Sequence, residues 1–159
     1  MQVSDLRQLK EYDAWATAKI LEQAVMLTPE QFTATPVSGY PSVRDTLVHA
    51  MSAELMWRII WQGDERRPAL VPDDFPTCGS IAERWQIEDR STLSYLATLS
   101  DADLEQDVSG FGPLGMTIMH VLMHGMQHRS EVAMLVTVFG YSPGNVDLVF
   151  FQMQQAAAA

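Results

Sequence analysis

Apolar residues recur three and four positions apart along most of this chain, which is the spacing of one helix face. From residue 3 to residue 27 the repeat runs through Leu6, Leu9, Ala16, Ile20, Ala24 and Leu27. It predicts a first helix that stops at Thr28-Pro29. Asp13 falls on the apolar stripe and is either a surface residue at the edge of the buried arc, the favoured reading, or a buried group that hydrogen-bonds a neighbour, while Tyr12 and Trp15 beside it are read as packing between helices. Residues 28 to 41, rich in Thr, Pro, Ser and Gly, form a connection with room for one short turn at TPEQF.

Ser42 is an N-cap with Asp45 in the capping-box place, so a second helix runs from there to Gln62 and stops at Gly63. Leu47, Ala50, Leu55, Ile59, Trp57 and Trp61 make it largely buried. Residues 63 to 79 carry Pro68, Pro72 and Pro76 and form an irregular loop of a length that often serves as a lid or rim. SIAE at Ser80 is a capping box that opens a third helix, which reaches Ser100. Gly110, Gly112 and Pro113 point to a small hairpin or extended crossover over 101 to 115. The fourth helix fills the stretch from Gly115 to Gly140, with Ile118, Val121, Leu122, Leu135, Val136 and Phe139 as its apolar positions. After the turn YSPGN, a short final helix spans Asp147 to Gln155 and the trailing alanines fray. The fold class is all-α: a four-helix bundle with a short extra C-terminal helix, one domain over 1–159. Its longer connections allow an order other than simple up-and-down.

Composition narrows the function. Lys plus Arg number 10 against 20 for Asp plus Glu, a net charge of −10 with no basic run. That balance opposes nucleic acid and anionic membranes as partners. No signal core or membrane span is visible, so the reading is a soluble cytoplasmic protein. One cysteine, Cys78, excludes an internal disulfide and a cysteine-based zinc cluster. Its loop setting in FPTCGS makes it an ordinary thiol.

The fourth helix holds three of the four histidines, His120, His124 and His128, at four-residue spacing. Each step of four rotates only about 40°, so the three imidazoles share one stripe. A stripe of imidazoles on an apolar helix needs partners. Two neutral imidazoles at i and i+4 can face one cation, and the bland alternative is a set of hydrogen-bonded packing residues. Spacing does not choose which pair would bind. The fourth histidine, His49, lies on the second helix, and Asp45 one turn before it is either its orienting acceptor or a cap. Glu54 sits about 140° from His49 on the same helix, an unsuitable angle for a shared ligand set.

These segments carry a resemblance. EYDAWATAKILEQA, SVRDTLVHAMSAELMW, HVLMHGMQHRSEV and YSPGNVDLVFF resemble the first helix, second helix, paired-histidine helix and C-terminal segment of the DinB/YfiT family of metal-dependent bundle proteins. The resemblance implies a three-histidine metal centre on His49, His124 and His128, with His120 as a packing residue or a partner that orients a ligand. It also implies a divalent transition metal: zinc or nickel first, iron or copper as alternatives. Gln127 stands where the family often has another His, and Ser130-Glu131 where it often has Gly-Gln. Glu131 is thereby a candidate fourth ligand, orienting acceptor or general base. Arg129 is a candidate for binding an anionic substrate, with a salt bridge inside the bundle the stronger reading. Three neutral ligands leave coordination positions open, the pattern of catalytic rather than structural zinc. The family implies a hydrolase or an S-transferase that uses a low-molecular-weight thiol such as bacillithiol or mycothiol on a small-molecule substrate. A stress-response setting and a homodimer are implied as well. The competing expectation is a non-enzymatic dimeric bundle that metal staples or that senses metal.

Overall fold

The computed structural model describes residues 1–65 and 67–158. Six helices follow one another: α1 Val3–Ala24, α2 Pro29–Thr33, α3 Val43–Gln62, α4 Cys78–Leu96, α5 Leu114–Val138 and α6 Leu148–Ala158. The long ones are α1, α3, α4 and α5, and the fold is the expected all-α bundle. No helix among the described residues is long and apolar enough to cross a membrane.

Capping fixes most of the boundaries. Ser42 Oγ accepts from Asp45 N at 3.1 Å to start α3, and Gly63 ends it in the left-handed conformation at φ 72°. The start of α4 differs from expectation. Its N-cap is Thr77, paired with Ser80 in a reciprocal capping box, so Cys78 is the first helical residue and not part of a loop. The reason is packing: Cys78 is buried against the end of α1, where its Sγ meets Leu21 O at 3.7 Å. Burial pushes its thiol up to about 11, which leaves it inert near neutrality. Between α4 and α5 the chain forms a 3-10 turn over Asp101–Glu105 and a single antiparallel bridge, Asp107 to Pro113, in place of a full hairpin. The last helix continues through the alanines to Ala158. It is held on α1 by Tyr12, whose hydroxyl donates to Val146 O at 2.9 Å, and by contacts of Tyr12 and Trp15 with Phe151.

In cross-section α1 packs on α4 and α5, and α3 packs on the same two. One apolar cluster joins Ile20, Leu47, Ile81 and Val132, and the other joins Leu6, Leu96 and Ile118. Hence α1 and α5 run one way, α3 and α4 the other. A chain leaving α3 must travel back along the bundle before α4 can start, which accounts for the long loop after Gly63. Leu70 N donates to Ser52 Oγ at 3.0 Å and Arg44 Nη2 meets Asp73 at 3.1 Å, so this segment is a strap laid along α3.

Between the two apolar clusters lies a buried ionic network. Lys10, 2% exposed, places Nζ 3.0 Å from Asp13, 2.6 Å from Glu54 and 2.7 Å from Asp89. Arg129 closes onto the other oxygen of Asp13. Trp85 Nε1 and Thr92 Oγ1 donate to Glu54 at 3.2 and 3.0 Å. Asp13 is therefore not the favoured surface residue but the buried, hydrogen-bonded group of the two readings. Burial alone would push the Lys10 ammonium down, yet the three carboxylates together hold it raised. Burial likewise opposes ionisation of Asp13, but Lys10 and Arg129 hold its carboxyl low. Gly125 makes room for this pair: a Cβ there would lie 3.0 Å from both Arg129 Nη1 and Asp13 Oδ1. Gly125→Val is expected to lower unfolding free energy by about 1–3 kcal/mol, read from urea midpoints. An unchanged midpoint would show that the ion pair gives way freely.

Two cations face three carboxylates in this network, leaving one negative charge in excess. Asp89 carries the consequence. Burial and the neighbouring Glu54 and Asp13 push its carboxyl up to about 6, against the pull of Lys10. The folded chain then keeps a proton that the unfolded chain releases near 3.8. Its contribution to stability is present below that value and lost as pH rises through about 6. The expected result is a fall of up to about 3 kcal/mol from this group over that window. Asp89→Asn should flatten the slope of the urea midpoint against pH. A wild-type midpoint rising between pH 4 and 6 with the same slope in the variant would contradict it.

Candidate metal centre

His49 projects from the first half of α3, and His124 and His128 from successive turns of α5. Because α3 and α5 are neighbours, the three rings meet at the seam. Ring centroids are 5.2 Å apart for His49–His124, 4.7 Å for His49–His128 and 4.4 Å for His124–His128. One nitrogen from each lies within 4.8 Å of the others, a group that could hold a metal ion. The donor set fits such an ion. Zinc–nitrogen bonds near 2.05 Å in a tetrahedron put ligand nitrogens about 3.3 Å apart, and His124 Nε2 and His128 Nε2 are separated by 3.1 Å.

The protonation pattern also suits a cation. Glu131 Oε2 lies 2.6 Å from His128 Nδ1, so the ring donates there and turns an Nε2 lone pair toward His124. Gln127 Nε2 donates to the other carboxylate oxygen at 3.2 Å. These hydrogen bonds hold the Glu131 carboxyl low despite partial burial. Burial and the neighbouring His128 and His49 push His124 down to about 4, and burial with His128 pushes His49 down as well. Neutral rings near pH 7 are the form a metal ion takes up.

The other residues singled out in the sequence sit as follows. His120 is exposed and packs on Trp57 at 5.5 Å and on His124 at 6.1 Å. Trp57 in turn meets Phe111 edge-on at 5.1 Å, so an aromatic row leads from the imidazoles to the loop before α5. Arg129 follows His128 in sequence but is 5% exposed and turned across the bundle to Asp13. Asp45 bonds Arg44 Nε at 3.1 Å and makes no bond to His49 among the described residues. Asp13, Glu54 and Asp89 form a second convergent group of possible ligands. The Lys10 ammonium already occupies their focus, so that cluster carries its own cation. The angle of Glu54 from His49 kept it out of the imidazole group, but nothing in α3 alone assigned it to the Lys10 network; the signal that might have found it was Lys10 and Asp13 at i,i+3 on the apolar stripe of α1, a charge pair requiring a partner.

Comparison with known proteins gives the family of the chain. The sequence profile of the DinB family matches residues 1–158. The chain belongs to the DinB family. Protein DinB of Bacillus subtilis is 24% identical over 153 residues, covering 88% of this chain and 89% of that protein. The crystal structure of a DinB-like protein from Bacillus cereus has a TM-score of 0.75, with 18% identity over 92% of this chain and 98% of that one. At that identity the likeness is one of fold.

Proposed function

We propose that this DinB-family chain is a metal-dependent enzyme, either a hydrolase or an S-transferase for a low-molecular-weight thiol, with His49, His124 and His128 as its metal ligands. The observation that carries the reading is the openness of the three-imidazole group. His49 is exposed, and the group has no fourth donor among the described residues. Zinc or nickel is the expected ion, with iron or copper as alternatives, since imidazole sets accept all four. A divalent ion held by three neutral nitrogens supplies Lewis acidity: it favours the anionic form of water or a thiol and polarises a carbonyl oxygen.

The protein's own residues do the rest. Glu131 holds the proton on His128 Nδ1 and so fixes the ring's tautomer and orientation. That bond favours an orienting role for Glu131 over the roles of ligand or general base. Trp57 and Phe111 offer an apolar wall beside the imidazoles for the body of a small-molecule substrate. Arg129 is engaged with Asp13 and takes no part in substrate binding. The same reading includes a homodimer in the cytoplasm, supported by the exposed Met123 and Met126 of α5 and Phe150 and Met153 of α6.

A metal that merely staples helices would have no exchangeable position, and this separates the two readings. In protein reconstituted with cobalt(II), adding N-acetylcysteine should change the visible spectrum. The same addition to His124→Ala should change nothing. A cobalt spectrum indifferent to the thiol would sink the thiol-transferase reading and favour a closed, non-catalytic site.

A further inference from the structure

The seam between α1 and α4 lies across the bundle from the imidazoles and encloses a groove of ≈ 360 Å³. That volume falls at the small end of ligand pockets, which run from about 300 to 1,000 Å³. Its walls are mostly apolar, with Ala14, Ala18, Leu21 and Trp85 among them. Asp89 and Glu22 also line it, and no basic side chain does. Asp89 Oδ1 accepts from Lys10 Nζ at 2.7 Å, and no hydrogen bond among the described residues uses its Oδ2. It is the third carboxylate of the network that holds only two cations. Thr17, 2% exposed, is a further wall residue, and its Oγ1 has no hydrogen-bond partner.

We propose that this groove binds a small organic ammonium ion with an aromatic or branched hydrocarbon body, its N–H groups on the free oxygen of Asp89 and its hydrocarbon against Leu21 and Trp85. The argument is charge complementarity. An ammonium beside Asp89 brings the cations facing the carboxylates of the network from two to three. It takes the place of the proton that Asp89 otherwise retains in mildly acidic solution. A neutral ligand of the same shape gains the apolar contacts alone, and an anion meets Asp89 and Glu22 with like charge.

The test compares 2-phenylethylammonium, 2-phenylethanol and 3-phenylpropanoate by calorimetric titration of the full chain, with the indole N–H signal of Trp85 followed by NMR. The ammonium should bind about tenfold more tightly than the alcohol, the worth of one charge-assisted hydrogen bond. The carboxylate should give no shift. Asp89→Asn should erase the preference for the ammonium over the alcohol while leaving alcohol binding in place. Ala18→Phe, which fills the slot and leaves the ionic network untouched, should abolish both. Equal affinity for ammonium and alcohol, a preference that survives Asp89→Asn, or binding that survives Ala18→Phe would each overturn the proposal, as would no binding of the ammonium at millimolar concentration.

Discussion

Lys10→Met is expected to lower the unfolding free energy by about 3–5 kcal/mol, the cost of leaving buried charge without its partner. In a domain of this size that corresponds to a fall of about 10 °C in melting temperature. The side chain is nearly isosteric along its stem, so packing changes little and electrostatics dominate. Without the ammonium, Asp13, Glu54 and Asp89 face one another with only Arg129 to compensate, and Arg129 reaches Asp13 alone. The folded-state pKa values of Asp13 and Asp89, both held down by Lys10, must then rise. The sign follows: the variant recovers stability as pH falls toward 4, because protonation removes the repulsion that the wild type balances with Lys10. Glu54→Gln gives the contrast. It loses one contact to Lys10 but also removes the excess negative charge, and an amide oxygen still accepts from Trp85 or Thr92. Its cost should be the smaller of the two. Urea unfolding followed by circular dichroism at pH 7 and pH 4 measures all of this. A Lys10→Met midpoint close to wild type at pH 7 would mean that water reaches the network and screens it.

The second large effect concerns the imidazoles. Free zinc or nickel at about 100 times its dissociation constant should stabilise the chain by about 2.7 kcal/mol, because the ion binds the folded form, where the three rings converge. The corresponding rise in melting temperature is about 5–10 °C. Elemental analysis of untagged protein should find about one transition metal per chain. His49→Ala, His124→Ala and His128→Ala should each lose both the metal and the shift. Glu131→Gln should keep the metal but bind it about 10–100-fold more weakly, the usual cost of an orienting partner. His120→Ala should leave metal content unchanged, since that ring packs on Trp57 outside the group. Protein that purifies without metal and is indifferent to added zinc and nickel would return the imidazoles to a packing role and remove the basis for the enzyme reading.

Local pattern made much of this legible. The four long helices follow from three-and-four spacing, and the caps at Ser42 and Gly63 are residue-level signals that need no partner. The start of α4 shows the limit. Thr77-x-x-Ser80 and Ser80-x-x-Glu83 both satisfy a capping-box pattern, and only the burial of Cys78 against Leu21 selects the first. Asp13 shows another. An acid on an apolar stripe is indistinguishable in sequence from one at the edge of the arc, because its partner Arg129 is 116 residues away.

By itself, then, the sequence determined which segments are helical, that the chain is an acidic all-α bundle, and that three imidazoles share one stripe of α5. Tertiary structure decided which helices are neighbours. That ordering sets His49 beside His124 and His128, leaves His120 against Trp57, and drives Lys10 and its carboxylates into the centre. The physical reason is range: helix periodicity and capping act within about four residues. Charge pairing and ligand convergence depend instead on helix order, which the return strap after Gly63 and the two apolar clusters fix together.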